Sequence, residues 1–349
     1  MNIGKILLDW YKENKRPLPW RETTDPYQIW ISEIILQQTR VVQGEAYYQR
    51  FIERFPDVNS LAVAEEDEVM KYWQGLGYYS RARNLHVAAK EIMNRWNGTF
   101  PQKYSDVLSL KGVGEYTAAA ICSFAWRQPY AVVDGNVYRV LSRLFNLEIP
   151  IDTTHGKKEF AELAQFLLDK KRPDLYNQAI MDFGALQCVP KSPDCFNCPL
   201  QDCCSALAKK KVEELPVKIG KKVIKSRYFN YLHIHCQRVH LLSRRVDKDI
   251  WQNLYEYPLI ETEVKMDFIE LQQTESFQNL IRGVEKIKVK RIMEMPKHLL
   301  SHRIIHACFY ELEVSNFSVE MQKYLQVADV DLEKYAVSRL TELYQDMSD

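Results

Sequence analysis

Hydrophobic residues follow a helical repeat through about the first 208 positions and an alternating repeat after about position 227. Two helices are marked by apolar residues three or four apart, namely Val137, Val140, Leu141, Leu144 and Phe145, and Phe160, Leu163, Ala164, Leu167 and Leu168. Alternation with polar residues predicts strands at Leu232, Ile234 and Cys236, at Val239 and Leu241, and from Ile304 to Val314. An amphipathic helix is predicted at the C-terminal end, through Leu332, Tyr335, Ala336, Leu340 and Leu343.

These patterns predict a multi-domain chain. An all-α domain is expected over residues 1–208, a linker over 209–226 and a smaller α+β domain over 227–349. The stretch around the linker carries seven lysines and has little periodicity, which is typical of a solvated connection.

Composition indicates an ordinary globular protein of a reducing compartment. Lys and Arg number 47 and Asp and Glu number 46, so any anion-binding surface must come from local clustering of charge. The first residues lack the apolar core of a signal peptide, and we find no apolar run long enough to cross a membrane. The eight cysteines are therefore assigned to a reducing compartment, where metal ligation is favoured over disulfide bonding.

Four cysteines form the most distinctive motif. Cys188, Cys195, Cys198 and Cys204 follow the spacing C-x6-C-x2-C-x5-C. Four thiolates in one short loop can converge on a single cubane iron–sulfur cluster, whereas a zinc ribbon places two C-x2-C pairs on separate hairpins. The spacing favours the cluster, with a four-cysteine zinc site or scattered buried thiols as the alternatives.

A second candidate site lies at Glu33, in the segment QIWISEIILQQTRVV. Apolar residues surround it on nearly every side of the predicted helix, so the helix is expected to be buried. Burial disfavours the charged carboxylate and raises its pKa, which is how a general acid is made. A buried glutamate that is simply satisfied by a backbone or arginine partner is the structural alternative.

A third candidate is Asp134, which directly precedes an apolar helix in AVVDGNVYRVLSRLF. It is predicted to cap that helix, a role that would explain it without any chemistry. The N–H groups and positive potential of a helix start are also expected to keep the carboxylate ionised. One protonated and one ionised carboxyl group is the pair that cleaves glycosidic bonds.

The segment LKGVGEYTAAAI places Gly112 and Gly114 in a predicted tight turn before a helix. Backbone N–H groups at such a turn can hold a phosphate, which would make the segment a hairpin that grips the DNA backbone. A plain turn between helices is the alternative.

The chain resembles the helix-hairpin-helix DNA glycosylases that carry an iron–sulfur cluster. The resemblance lies in ISEIILQQT, GLGYYSRARNL, LKGVGEYTAAAI, VVDGNVYRV and the four-cysteine run, and it is closest to the MutY-type adenine DNA glycosylases. It implies an all-α helix-hairpin-helix glycosylase domain with a [4Fe-4S] cluster, followed by an α+β Nudix-like domain. It further implies excision of adenine paired with 8-oxoguanine or guanine in double-stranded DNA, by a monomer in the cytoplasm, at the bacterial nucleoid.

The resemblance also implies roles for single residues. Glu33 matches the acid that protonates adenine N7, and Asp134 matches the carboxylate that stabilises the cationic sugar. Family residues that line the sugar side of the pocket are matched by Tyr116 and Asn136, those of the adenine pocket by Trp20, Arg21 and Gln178, and those inserted around the lesion by Gln38 and Tyr78. Without the motif context, the two aromatic residues could be core residues and Gln178 a surface amide.

In the second domain, LYEYPLIE resembles a Nudix landmark, but the following segment lacks the dense carboxylates that hold magnesium in Nudix hydrolases. We therefore expect no nucleotide hydrolysis. Ser301 and His302, in KHLLSHR, match the loop that contacts oxidised guanine in the family. Leu300 stands where the family usually has an aromatic residue.

Two alternative functions remain open from sequence. Endonuclease III-like glycosylases carry a lysine in the hairpin that attacks the sugar and allows strand cleavage; Tyr116 occupies that position here, which disfavours a pyrimidine-directed glycosylase with lyase activity. A non-catalytic or redox-sensing iron–sulfur DNA-binding protein is the other. The presence of both Glu33 and Asp134 favours the enzyme.

Overall fold

The computed structural model describes residues 2–220 and 224–347. Contacts between Cα atoms divide the chain into two compact units, Met1–Val63 with Asn84–Lys221, and Ala64–Arg83 with Lys222–Asp349. The residues 64–83 thus group with the later part of the chain. The domain boundaries expected from sequence stay a prediction, and residues 221–223 of the expected linker lie outside the described residues.

The first two hundred residues are helical, as predicted. The helices are α1 (Ile3–Asn14), α2 (Pro26–Ile35), α3 (Val41–Arg54), α4 (Val58–Val63), α5 (Glu66–Trp73), α6 (Ser80–Trp96), α7 (Tyr104–Ser109), α8 (Glu115–Trp126), α9 (Gly135–Phe145), α10 (Thr154–Leu167), α11 (Pro173–Asp182) and α12 (Ser205–Ala208). A short 3₁₀ helix covers Pro19–Arg21, and a π-helical turn covers Phe183–Gln187, directly before the first cysteine of the motif.

The core of the first unit forms where α1, α8, α9, α10 and α11 pack together. The predicted repeats account for it, since Val137, Val140 and Leu141 of α9 and Phe160 of α10 are buried there. Helix α2 packs against α3 and α8.

The expected linker is only partly solvated. Lys209, Lys210 and Lys218 are exposed. Leu215, however, is buried, and its carbonyl accepts a hydrogen bond from Arg143. The Asp152 carboxylate accepts hydrogen bonds from the backbone N–H groups of residues 219 and 220. The chain up to residue 220 is therefore attached to the first unit, which lysine content alone did not reveal.

The later part of the chain is a mixed α/β structure, which confirms the expected α+β class. Its strands are β1 (Lys225–Cys236), β2 (Val239–Arg244), β3 (Tyr255–Glu256), β4 (Leu259–Thr262), β5 (Ile287–Glu294), β6 (His298–Leu299), β7 (Arg303–Val314) and β8 (Leu325–Ala328). Its helices are α13 (Phe268–Gln272), α14 (Glu275–Ile281) and α15 (Arg339–Asp346).

The main path of the sheet runs β3-β2-β1-β7-β5, with β4 paired to β1, β6 to β7 and β8 to β2. Strands β1 and β7 are parallel, from Lys225 opposite Arg303 to His235 opposite Glu313. One core contains Leu340 and Tyr344 of α15, and the other contains Leu271 of α13 and Phe277 of α14, so helices cover both faces of the sheet.

The predicted C-terminal helix is wrong in its extent. A 3₁₀ helix covers Asp329–Lys334, and α15 begins only at Arg339. Between them, Val337 bridges Tyr255 of β3, and the Ala336 carbonyl accepts a hydrogen bond from the Tyr255 backbone N–H. Pairing with the strand competes with the helical repeat of residues 332–343 and interrupts it.

Candidate active site

Glu33 lies near the end of α2, where the helix is apolar on nearly every side. Ile29, Trp30, Ile31 and Ile34 are buried, and the glutamate is only 7% exposed. Tyr116 donates a hydrogen bond from its hydroxyl to Glu33 Oε2 over 2.8 Å. Burial raises the pKa of Glu33 to about 7, with a further upward contribution from the charge of Asp134. The side chain therefore holds its proton up to neutral pH.

Asp134 caps α9, as predicted. Its Oδ1 accepts hydrogen bonds from the backbone N–H groups of Asn136, at 2.9 Å, and Val137, at 2.8 Å. Its Oδ2 accepts one from Asn136 Nδ2 at 2.7 Å. Burial raises the pKa of Asp134 more than these three bonds and Arg139 lower it, so that the carboxylate stays ionised remains a prediction. The bonds limit the cost of burying the charge but do not cancel it.

Both carboxyl groups line one cavity of about 200 Å³ in the first unit, which the sequence alone could not show. It also contains five other residues predicted for the site, namely Trp20, Arg21, Tyr116, Asn136 and Gln178. Trp20 is 7% exposed and packs edge-to-face on Tyr48, so it is a core aromatic as well as a wall of the cavity.

Sequence reasoning missed the residue that holds Arg21. Asp182 is fully buried and accepts hydrogen bonds from Arg21 Nη1 at 2.6 Å and Nη2 at 2.7 Å. It also accepts from Arg16 Nε at 2.8 Å. Burial alone would raise the pKa of Asp182, but Arg21 and Arg16 together lower it below its ordinary value. The sequence gives no sign of this pairing, because 161 residues separate Arg21 from Asp182.

Arg139 connects the Asp134 side of the cavity to the cysteine loop. Its Nη2 donates to Asn136 Oδ1 over 2.9 Å, and its Nε donates to the Cys188 carbonyl over 2.7 Å. Because the Asn136 oxygen is bound by arginine, its amide nitrogen is the group that turns toward Asp134. The orientation of Asn136 thus depends on a residue anchored at the first cysteine.

The four cysteines of the motif line one further cavity of the first unit, with apolar walls from Val140, Leu144, Phe183 and Leu200. Arg143 donates from Nη1 to Cys188 Sγ over 3.4 Å. Within residues 2–220 and 224–347, no group of three or more His, Cys, Asp and Glu side chains is arranged for a single metal ion. Each thiolate of a cubane cluster binds its own iron, whereas zinc needs four ligands at about 2.3 Å from one centre. Four cysteine side chains around one cavity are the ligand set that a cubane cluster takes.

The predicted hairpin is present between α7 and α8. Gly112 has φ +79°, and a Cβ there would lie 2.6 Å from Asn84 Cβ, so the position requires glycine. Gly114 occupies the N-cap position of α8 and has open space around it.

The remaining predicted residues do not line the cavity around Glu33. Gln38 and Tyr78 are exposed, and both have left-handed backbones, with φ of 60° and 47°. Such conformations are strained in non-glycine residues and are found at functional sites. Tyr78 belongs to the second unit.

The loop between β6 and β7 carries Ser301 and His302, both exposed, with Ser301 Oγ 3.5 Å from His302 Nε2. Leu300, which replaces the aromatic residue expected from the resemblance, packs against the core under the sheet.

The carboxylates of the Nudix-like segment LYEYPLIE are engaged in ion pairs. Glu256 is bound by Arg245 and Glu261 by Arg227.

Comparison with known proteins gives a consistent result. Residues 31–166 match the HhH-GPD superfamily of base excision DNA repair proteins. The adenine DNA glycosylase of Buchnera aphidicola subsp. Baizongia pistaciae (strain Bp) is 33% identical over 305 residues, which cover 86% of this chain and 83% of that protein. The human adenine DNA glycosylase is 39% identical over 218 residues, covering 60% and 40%.

Two solved structures share the fold of the helical part. A thermostable thymine-DNA glycosylase is 30% identical with a TM-score of 0.56, over 59% of this chain and 95% of that one. A non-covalent endonuclease III–DNA complex has a TM-score of 0.52 at 22% identity, over 59% of this chain and 94% of that one, and it supports the fold alone. Among the described residues, no helix is long and apolar enough to span a membrane.

Proposed function

The chain belongs to the adenine DNA glycosylase family, whose members remove adenine in base excision repair. We propose that it acts on adenine paired with 8-oxoguanine or guanine, and that it does not cut the DNA strand. The observation that carries the mechanism is a single cavity lined by two buried carboxyl groups with different partners.

Glu33 is the proposed acid. A pKa of about 7 leaves a large protonated fraction at neutral pH, and only the protonated form can donate to adenine N7. Protonation makes the base a leaving group. As the bond to the sugar breaks, positive charge develops at C1′, and Asp134 lies in the same cavity to stabilise it. Water then adds to C1′ and leaves an abasic site.

Tyr116 supports the absence of a strand-cutting step. Lyase chemistry of this class needs an amine that forms a Schiff base with the sugar, and a phenol cannot form one. Burial raises the pKa of Tyr116 well above 10, so its hydroxyl stays neutral and donates to Glu33.

For a base to reach this cavity, it must leave the DNA stack, at a cost of a few kcal/mol. Gln38 and Tyr78, exposed and held in left-handed backbones, are the proposed residues that fill the gap. The hairpin at Gly112 and Gly114 is proposed to bind phosphate, and the exposed Ser301 and His302 to read the oxidised guanine.

A [4Fe-4S] cluster is the proposed cofactor, held by Cys188, Cys195, Cys198 and Cys204. Bound there, it would act as a structural crosslink of the loop, since four cysteine ligands occupy all four irons. The chain is proposed to work as a monomer in the cytoplasm, at the bacterial nucleoid.

The test is single-turnover excision on duplexes with adenine opposite 8-oxoguanine, guanine or thymine. Products are analysed with and without hot alkali. We expect base loss for the first two pairs, with breaks only after alkali; breaks without alkali would instead support the endonuclease III-like alternative.

Glu33→Gln should lose excision yet keep binding the lesion duplex, while Glu22→Gln, at an exposed position outside the cavity, serves as the control. Lesion-duplex binding by wild-type protein with no excision of any base would support the non-catalytic alternative.

A further inference from the structure

Among the described residues, Asn136 and Gln178 are the amide side chains that line the cavity around Glu33, and Gln178 is bound by a residue that does not line it. Tyr11 of α1 donates its hydroxyl to Gln178 Oε1 over 2.6 Å. The phenol is only 5% exposed and belongs to the core of the first unit, so it approaches the amide from the protein side. We infer that Tyr11 fixes the Gln178 amide with its NH₂ group toward the flipped base, and so makes this position a reader of hydrogen-bond acceptors. The inference rests on the proposed function.

The distance supports this orientation of the amide. A separation of 2.6 Å between Tyr11 Oη and Gln178 Oε1 is normal for an O–H···O bond. If the amide were turned over, its nitrogen would face the phenol, and N–H···O bonds usually lie at about 2.9–3.0 Å. Burial raises the pKa of Tyr11, which keeps the hydroxyl proton in place for donation.

A neighbouring cation helps to hold the Tyr11 ring. The guanidinium carbon of Arg21 lies over that ring, 5.9 Å from its centre, and the salt bridge to Asp182 fixes it there. The ring that carries the hydroxyl is thus packed on its face as well as buried, which keeps the hydroxyl at Gln178 Oε1.

The consequence is a rule for base selection. An amide NH₂ stabilises a ring nitrogen that carries a lone pair, and it repels an N–H group at the same place. Adenine has two acceptor nitrogens, N1 and N3, besides the N7 that Glu33 is proposed to protonate. Guanine and thymine carry N–H groups at N1 and N3, respectively. Tyr11 is therefore a positioning residue for specificity, acting through Gln178 without touching the base.

The test combines variants with substrate analogues in single-turnover excision. Adenine, 1-deazaadenine and 3-deazaadenine are placed opposite 8-oxoguanine. For wild-type protein, we expect the excision rate of one of the two analogues to be lower than that of the other by roughly 5- to 10-fold, which is the effect of one lost hydrogen bond. This difference is the selective penalty. Tyr11→Phe frees the amide to turn and should abolish that selective penalty while slowing adenine excision. Gln178→Glu, which presents an acceptor oxygen but leaves Tyr11 in place, should abolish the same penalty.

Tyr176→Phe is the matched control. Tyr176 is another buried tyrosine, on the same helix α11 as Gln178, and its hydroxyl has no hydrogen-bond partner among the described residues. It should keep the wild-type pattern. If Tyr11→Phe slows all three substrates by one common factor, or leaves the selective penalty intact, the inference is wrong. Failure of wild-type protein to excise adenine would refute the proposed function instead.

Discussion

Replacing Glu33 with glutamine should stabilise the protein above neutral pH, although it removes the proposed catalytic acid. The carboxyl group is buried, and among the described residues its hydrogen-bond donor is Tyr116. Glutamine has nearly the same shape and can accept that bond through its amide oxygen. It carries no charge at any pH, so it avoids the cost of ionising a group in this position.

The magnitude follows from the pKa. Burial raises the pKa of Glu33 from its ordinary 4.5 to about 7, and each pH unit of displacement corresponds to about 1.36 kcal/mol. Between these two values the folded protein binds a proton that the unfolded chain has released, so wild-type stability falls as pH rises. The loss from this group is complete above the folded pKa and reaches about 3 kcal/mol. Below 4.5 both forms are protonated, and the contribution vanishes.

The assay is urea denaturation of wild-type protein and Glu33→Gln at about pH 5, 6, 7 and 8.5, with the difference in free energy of unfolding taken at each pH. Subtraction removes the titration of groups that the two proteins share. About 0.8 kcal/mol of the loss has already occurred at pH 5, so we expect the variant to gain about 2.5 kcal/mol relative to wild type between the lowest and highest pH. Glu22→Gln should show no such gain. A difference that is constant across this range would mean that Glu33 titrates normally, and the reasoning about its burial would be refuted.

Three further outcomes are expected. The single-turnover excision rate should fall as pH rises through about 7, because protonated Glu33 is consumed; a rate that keeps rising to about pH 9 would contradict this. His302→Ala should reduce the preference for 8-oxoguanine over guanine more than it slows excision, and equal losses on both pairs would remove the loop from recognition. His233 and His240 are hydrogen-bonded to each other, and burial lowers the pKa of both, so the stability of the folded protein should fall as pH falls below about 6.5. In thermal denaturation, His233→Phe should weaken this pH dependence, while His155→Asn, at an exposed position, should leave it unchanged.

Local patterns were enough to find the parts of the candidate active site that depend on single helices. Glu33 is recognisable because apolar residues surround it in α2, and Asp134 because it directly precedes α9. Gly112 could be predicted because the turn requires a positive φ. In each case the determining physics acts within a few residues along the chain.

Other features depend on pairings over long distances in sequence and could not be predicted. The Tyr11–Gln178 bond joins residues 167 apart, and the Arg16–Asp182 ion pair joins residues 166 apart. The break before α15 has the same origin, since a bridge from Tyr255 competes with the helical repeat. Each of these residues is unremarkable in its own segment, and only the packing of distant elements gives it a role.

The different roles proposed for the two carboxyl groups agree with their positions in the helices. Glu33 sits inside α2, where backbone N–H groups are already bonded within the helix and none is left for a side chain. Its carboxyl group must take a side-chain donor, and Tyr116 supplies one. Asp134 sits at the start of α9, where free N–H groups exist, and it receives two of them with the Asn136 amide. Burial raises the pKa of both, but the group with fewer donors has less to offset it. When the two carboxyl groups share one proton, we therefore expect it on Glu33, in keeping with the proposed roles of Glu33 as the acid and of Asp134 as the charged carboxylate.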